Sequence, residues 1–348
     1  MPYFDPEPKK CREDFFNAEK EIEEFKRGLN VSKLVVVSGL RRYGKTSLIL
    51  TALNELGVDY VFIDCRLLPS GMISVNDLLM LFERELSRRG WFKSIVTSIE
   101  GVEVGGFGVR FRRRDFNTLV NVLERLEGRV LVFDEVQELR RSRYRFDSLI
   151  AYLYDHVDVK VVVSGSQVGL MRRFLRFDDP SAPLYGRPFY VVKLKPLTRE
   201  LAREFLLKGF EQEGLQPPVE LIEEALNIFN GVIGWLTYFG YSYARLCVRD
   251  LTSVLETAAK LAYEELNQAL QIFNVGRPRY EAVLKLLSER SSSWSEIIRY
   301  IESKHGKIPK NTLNNILKNL IDMGVVEKSE GMYRVADPVL RYAIRKYL

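Results

Sequence analysis

Lys45, Thr46, Asp134 and Glu135 are the residues whose types and spacing point to phosphoryl chemistry. The stretch Gly39-Leu40-Arg41-Arg42-Tyr43-Gly44-Lys45-Thr46 fits the phosphate-loop pattern G-x-x-x-x-G-K-[ST], and Ser47 continues it. Glycines let the backbone turn sharply and approach a phosphate with no Cβ in the way. Free N–H groups of the loop and of the first helical turn face an anion, which the helix dipole also favours. Lys45 is placed to reach β- and γ-phosphates, and the Thr46 hydroxyl is a hard oxygen suited to Mg²⁺. A chance glycine-rich turn is the alternative, but here a β-branched run precedes the loop and a helical pattern follows it.

Arg129 to Glu135 reads as a buried strand ending in two carboxylates. Asp134 is placed to hold Mg²⁺, directly or through a water, and Glu135 to polarise an attacking water. Phosphoryl transfer needs both metal charge neutralisation and an oriented nucleophile. The competing reading is a strand followed by a helix-capping aspartate. Ser164-Gly165-Ser166-Gln167 follows another strand, over 159–163. Either Ser164, Ser166 or Gln167 reports nucleotide state by hydrogen bonding, or Ser166 caps a helix. The loop from Pro183 to Pro188 presents one arginine, Arg187.

These residues need a sheet to hold them. Leu34 to Val37, Val58 to Asp64, Val130 to Phe133, Val159 to Val163 and Phe189 to Leu194 read as strands alternating with helical patterns, which implies a parallel α/β sheet. Asp14 to Leu29 reads as a helix with an apolar stripe of Ile22, Phe25 and Leu29. The phosphate-loop helix ends at Gly57, and Ser74 to Asp77 caps another helix running to about Arg89. Residues 101–111 alternate around Gly105-Gly106 as a β-hairpin leading into Arg112-Arg113-Arg114. A further helix carries Phe116, Leu119, Val120, Leu123 and Leu126 on its apolar face.

Beyond Thr198 the strand signals stop and helical patterns run to about Asn274. The tail has its own order. One helix spans Tyr280 to Leu287, and a second is capped by Ser293 with Glu296 in capping-box spacing. A third opens at Pro309, and a hairpin turns at Glu330-Gly331. This is the pattern of a winged helix. Its third helix presents Lys310, Asn311, Asn314, Asn315 and Lys318 outward, a polar face suited to a DNA major groove or to protein docking. The domains read as a core over 1–195, a helical lid over 196–274 and a winged helix over 275–348.

Charge follows this division. Residues 275–348 hold 14 of the 52 Lys+Arg and 8 of the 46 Asp+Glu, which leaves 38 of each elsewhere, so the whole +6 excess lies in the tail. That permits nucleic-acid binding without demanding it. The composition, 46% hydrophobic and 28% charged, is that of a soluble globular protein. No apolar run approaches the ~20 residues that cross a bilayer. No signal pattern opens the chain, so a cytoplasmic protein is expected. Cys11, Cys65 and Cys247 are too scattered for a disulfide framework or zinc site, and two histidines argue against a histidine-rich metal site.

With these residues in view, the chain resembles the archaeal ATPase family, P-loop ATPases related to the AAA+ and STAND classes. The resemblance rests on the box from Asp14 to Glu21, the phosphate loop with its double arginine, and the run from Phe133 to Leu139. Ser164-Gly165-Ser166, Leu184-Tyr185-Gly186-Arg187 and the stretch from Tyr333 to Pro338 complete it. It implies an ASCE-type, AAA+-like core, a helical lid and a C-terminal winged helix. It also implies that Asp14, Phe15 and Phe16 lie near an adenine, and that Arg187 acts at a γ-phosphate, in cis or toward a neighbouring subunit. Two departures stand out. Ile233 occupies the place of the family's lid proline, and the arginine of the AAA+ second sensor is missing there.

The expected activity is slow hydrolysis of Mg·ATP to ADP and phosphate, with ATP and Mg²⁺ as cofactors, coupled to movement of lid and winged helix, with double-stranded DNA as a candidate partner of the winged helix. The alternative is a nucleotide-gated regulatory module, with DNA or protein as partner and little turnover. Self-association is a further expected partnership, and no membrane is. A nucleotide kinase fits the winged helix poorly, and no residue pattern separates ATP from GTP. Arg41 and Arg42 either dock on acidic neighbours or sense what lies across the nucleotide.

Overall fold

A strand buried at every position needs cover on both faces, and Leu34–Ser38 is such a strand. The computed structural model describes residues 2–88, 102–105, 108–111, 114–166 and 168–348. In it this strand, β1, belongs to a five-stranded sheet. Its other members are β2 (Tyr60–Asp64), β5 (Val130–Asp134), β6 (Lys160–Gly165) and β7 (Tyr190–Lys193). The separate hairpin of β3 (Val102–Gly105) and β4 (Gly108–Phe111) matches the alternation around Gly105. The sheet order is β2-β5-β6-β1-β7 and every pairing is parallel. The strand of Ser164 therefore lies between the phosphate-loop strand and the strand of the carboxylates. Gly101, Gly106, Arg112, Arg113 and Gln167, and the expected helix end at Arg89, lie outside the described residues.

The chain divides into two compact units. The sheet unit holds Pro8–Gly39 and Lys45–Leu194. Its first helix, α1 (Glu19–Val31), buries Ile22, Phe25 and Leu29 as the periodicity predicts. It begins later than Asp14 because a short 3-10 turn at Arg12–Asp14 comes first and Asn17 turns left-handed, with φ 46°. Gly28 is where α1 meets β7: a Cβ there would stand 2.7 Å from the Tyr190 ring. Next come α2 (Lys45–Leu56) and α3 (Val75–Ser87), the latter with the capping box of Ser74 and Asp77 formed. Asp115 caps α4 (Phe116–Glu124). Helix α5 (Phe146–His156) is additional to the helices read from the sequence, whereas α6 (Val168–Leu175) starts two residues after Ser166, where a helix was one of the two readings. Leu34, Val36, Ile63, Phe82, Phe133 and Val161 sit together in the unit's apolar core.

The helical unit holds residues 2–7, Leu40–Gly44 and Lys195–Leu348. Thr198 caps α7 (Arg199–Gln212), which is followed by α8 (Val219–Phe229) and α9 (Ile233–Ala244). Gly231, at φ 74°, brings its Cα against the chain, since a Cβ there would lie 2.0 Å from the Leu197 carbonyl oxygen. The long α10 (Leu251–Leu270) leads through a 3-10 turn to α11 (Arg277–Glu289). The winged-helix pattern follows: β8 (Ser292–Ser293), α12 (Trp294–His305), α13 (Lys310–Asp322), β9 (Val326–Ser329) and β10 (Met332–Val335). The box of Ser293 and Glu296 is formed at the start of α12. A last helix, α14 (Pro338–Tyr347), packs on α10, α11 and α8. No described helix is long and apolar enough to cross a membrane.

Residue Phe4 is fully buried in this unit. Its ring meets Phe205 and Phe210 edge-on, at centroid distances of 5.8 and 4.8 Å. Gly209 and Gly240 make room for it: a Cβ on either would fall within 2.4 Å of the ring. Replacing Phe4 with Ala is expected to destabilise the unit by about 3–5 kcal/mol, the range for emptying a buried aromatic site. Chemical denaturation checks this, and a loss below ~1 kcal/mol would show that the segment is dispensable.

Candidate active site

The sheet unit assembles its polar cluster at the C-terminal edge of the strands, the side where ligands collect in open α/β sheets. Register does the positioning. Val37 lies opposite Ser164 and Phe133 opposite Val163, so the side chains at the C-terminal ends of β5 and β6 converge with those following β1. Asp134 is 1% exposed. Its Oδ2 accepts from the Thr46 hydroxyl at 2.8 Å, and its Oδ1 accepts from the Ser164 hydroxyl. Burial pushes Asp134 above the ordinary aspartate range. The Ser164 and Thr46 hydroxyls and Lys45 pull against that rise, and the charge of Glu135 adds to it.

Glu135 is held differently. Its backbone is left-handed, with φ 52°. Oε2 accepts from Gln137 Nε2 at 2.5 Å and from Ser166 N and Oγ at 3.1 and 2.8 Å. Oε1 faces Lys45 Nζ at 3.9 Å. Burial raises the Glu135 carboxyl, but Lys45, Gln137 and Ser166 outweigh it and hold the group below the usual glutamate value. Lys45 is itself only 5% exposed. Two adjacent carboxylates thus have opposite tendencies, set by what each faces.

Among the described residues no group of three or more His, Cys, Asp or Glu gathers as a metal cluster. A magnesium site needs fewer protein ligands, because the ion keeps waters and takes substrate phosphates. Thr46 Oγ1 and Asp134 Oδ2, 2.8 Å apart, are spaced close to neighbouring corners of a Mg²⁺ octahedron, about 3.0 Å for bonds of ~2.1 Å. The pair fits the ion.

Other expected site residues fall as follows. Phe15 and Phe16 are buried. The segment just before them runs along α2: Lys9 N–H donates to Ser47 Oγ at 3.0 Å, and Asn54 donates to the Lys10 carbonyl at 3.0 Å. Arg187 is not brought to the cluster. Its Nε and Nη2 donate to Asp155 at 3.0 and 2.6 Å. It precedes β7, whose Tyr190 lies opposite Val35, so it sits at the N-terminal edge of the sheet. About 13 Å of strand separates that edge from Lys45. Sequence reasoning missed Gln137 as a partner of Glu135, although an uncharged amide within an otherwise apolar and charged 3-10 turn was an available signal.

The helical unit contains the rest of the phosphate loop. Tyr43 N–H donates to the Leu40 carbonyl at 3.3 Å, closing a tight turn. Arg42 is left-handed at φ 68°, a conformation costing a non-glycine residue about 1–3 kcal/mol. Its carbonyl accepts from Gly234 N–H at 2.9 Å. Its guanidinium lies 3.9 Å from the centre of the Trp235 ring and grips Glu265 through Nη1 and Nη2 at 3.1 and 2.7 Å. Arg41 pairs with the same Glu265 at 3.1 Å. Both arginines therefore dock on an acidic neighbour. Nothing local marked Glu265, which lies 223 residues from Arg42. In the winged helix, Lys310, Asn311, Asn314, Asn315 and Lys318 are all exposed, and Asn314 Oδ1 accepts from Trp294 Nε1 at 2.8 Å.

A parallel sheet of this order, a glycine-bounded phosphate loop and a winged helix define a P-loop ATPase core with a winged-helix extension. Residues 15–239 match the model of the ATPase domain found predominantly in Archaea, and the chain belongs to that family. Residues 274–336 match the C-terminal winged helix-turn-helix domain of MCM proteins. Among solved structures the chain is similar to the Walker-type ATPase of Pyrococcus abyssi, with 32% identity and a TM-score of 0.84 over 99% of each chain. It is also 22% identical to an uncharacterized protein of Methanocaldococcus jannaschii, over 95% of this chain and 68% of that one.

Ser164→Ala should cost about 1–3 kcal/mol, because it strips a donor from a buried carboxylate. Urea denaturation without nucleotide reads the effect, and unchanged stability would show that Asp134 does not depend on this hydroxyl.

Proposed function

We propose that this protein binds Mg·ATP at the loop Gly39 to Ser47 and hydrolyses it to ADP and phosphate. The observation that carries the reading is the convergence of Lys45, Thr46, Asp134, Glu135 and Ser164 at one edge of the sheet. Lys45 offsets charge on the β- and γ-phosphates. Thr46 and Asp134 hold Mg²⁺, which when bound neutralises charge developing between those phosphates. Glu135 orients the attacking water. The donors on Oε2 fix the carboxylate plane, and Oε1 faces Lys45. Ser164 steadies Asp134 rather than contacting nucleotide. Arg187, paired with Asp155 at the far edge of the sheet, takes no part in chemistry at its own chain's loop and is available only toward a neighbouring subunit. Phe15 and Phe16 belong to the adenine end. The working division is a core over 1–195, a lid over 196–274 and a winged helix over 275–348, in a cytoplasmic protein whose turnover is slow and drives a conformational switch.

A second reading has its own observation. The exposed Lys and Asn residues of α13 lie where a winged helix would meet duplex DNA, in the segment that carries the whole positive excess. On this reading the chain is a nucleotide-gated DNA-binding regulator and hydrolysis is its timer.

Phosphate release by the purified chain, with fluorescent-nucleotide binding alongside, tests the first reading. Lys45→Ala is expected to weaken nucleotide binding at least tenfold and abolish turnover. Glu135→Gln should bind normally and turn over roughly 100-fold more slowly, the lower end of what a positioned general base contributes. Normal turnover in either variant would remove that residue from its role. For the second reading, duplex binding is titrated against salt with and without ATP. The double variant Lys310→Ala/Lys318→Ala should lower the salt slope by about two. An unchanged slope would take α13 off the DNA.

A further inference from the structure

Three features of the sequence have no part in the chemistry above: the second arginine of the phosphate loop, the lid tryptophan and the Asp337-Pro338 pair. They meet in the helical unit. Asp337 accepts from the backbone N–H groups of Val339 and Leu340 at 2.8 and 3.0 Å, so it caps α14. The same carboxylate accepts from the Trp235 indole N–H, with N···O distances of 2.9 and 3.1 Å. The face of that indole carries the Arg42 guanidinium. Gly234, one residue before the tryptophan, donates to the Arg42 carbonyl. It has to be glycine, because a Cβ would stand 2.6 Å from the Arg42 Cβ and 3.0 Å from that carbonyl oxygen.

Tyr43 supplies a second observation. Its neighbouring charges are Asp337, Glu327 of β9 and Arg334 of β10. The Tyr43 hydroxyl is pushed up by burial first and by the charges of Asp337 and Glu327, with Arg334 acting the other way.

We propose that Asp337, Trp235 and Arg42 form a relay through which the winged-helix end of the chain sets the conformation of the phosphate loop. Asp337 and Trp235 are positioning residues, acting on the loop through Arg42. Asp337 fixes the plane of the indole, and the indole with Glu265 fixes the guanidinium. Together with the Gly234 hydrogen bond they keep Arg42 in a left-handed backbone that it would not otherwise adopt. The winged-helix end is therefore connected to the loop by side-chain contacts within the helical unit. Coupling of this kind is reciprocal: whatever stabilises the loop must also stabilise the start of α14.

The relay rests on the proposal that the loop binds nucleotide, but its first test needs none. Amide hydrogen exchange of residues 40–47 is measured on the full-length, nucleotide-free chain. Asp337→Ala and Trp235→Phe should each raise that exchange at least fivefold. Trp235→Phe keeps an aromatic face for Arg42 but loses the indole N–H and part of the ring volume. Asp337→Asn keeps one oxygen for the two cap N–H groups, while its amide NH2 replaces the oxygen that accepts from the indole at 2.9 Å, so it should raise loop exchange at least fivefold with stability to urea close to the parent's. That split separates positioning from general destabilisation. In the second test a fluorescent ATP analogue with Mg²⁺ should bind at least fivefold more weakly to the first two variants. Binding to the parent should slow exchange in 326–347.

Loop exchange within twofold of the parent in both Asp337→Ala and Trp235→Phe overturns the relay. If Asp337→Ala fails to fold, Trp235→Phe decides alone. A parent that binds no Mg·ATP sinks the proposed function, and the nucleotide-free exchange then still decides the relay.

Discussion

The constraint on which the rest of the structure depends is the left-handed backbone at Arg42. A phosphate loop has to aim successive N–H groups inward, and that demands positive φ near its apex. Glycine adopts this freely, whereas arginine does so only under restraint. The restraint is fourfold: a hydrogen bond from Gly234, the face of Trp235, a two-pronged grip by Glu265, and the tight turn closed by Tyr43. Arginine suits the task because a planar guanidinium can stack and form a fork at once, which lysine cannot. The loop is accordingly divided in its allegiance. Gly39 and Lys45 belong with the sheet, and Leu40–Gly44 belongs with the helices.

The acidic pair obeys a different logic. Asp134 and Glu135 are consecutive, yet the first is driven up by burial and the second is held down by its partners. The change of backbone hand at Glu135 ends the strand and turns its carboxylate from the interior toward Lys45 and Ser166. One carboxylate thereby faces hydroxyls, a setting for a hard cation, while its neighbour faces an ammonium and three N–H and O–H donors. Sequence adjacency gives two chemically distinct acids at the cost of one unusual dihedral angle.

Much of this was legible because it is local. The parallel sheet follows from β-branched runs spaced by helical patterns, and the capping box at Ser293 and Glu296 spans only three residues. Thr46 is marked by the phosphate-loop pattern and Asp134 by its place at the end of a buried strand, both local signals. What escaped reading is long-range or lacks contrast. The bond of Arg187 to Asp155 joins a loop to the end of a helix that the pattern did not reveal, and it moves the arginine to the wrong edge of the sheet for its own nucleotide. Glu265 is one acid among many on an amphipathic helix. In α14 the signal was present, an N-cap aspartate followed by proline, but the helix is short and three basic residues are interleaved with its apolar ones. Ile233 in place of proline has a structural counterpart too. The position opens α9, where proline is tolerated but not required, and the contact that matters belongs to the glycine beside it.

The burial of Phe4 among Gly209, Phe210 and Gly240 has a consequence for how the chain is made. The helical unit is stitched from residues 2–7, Leu40–Gly44 and Lys195–Leu348, while the sheet unit is nearly continuous in sequence. During synthesis the sheet unit can close on itself as it emerges, domain by domain in the usual vectorial order. Phe4 and the loop apex must wait, solvent-exposed, until the helices that receive them leave the ribosome. Loop closure over such separations is slow, so these contacts complete folding rather than begin it. A nascent or truncated chain would carry every atom of the phosphate-binding motif and still lack its shape, and nucleotide binding would become a property of the finished protein alone.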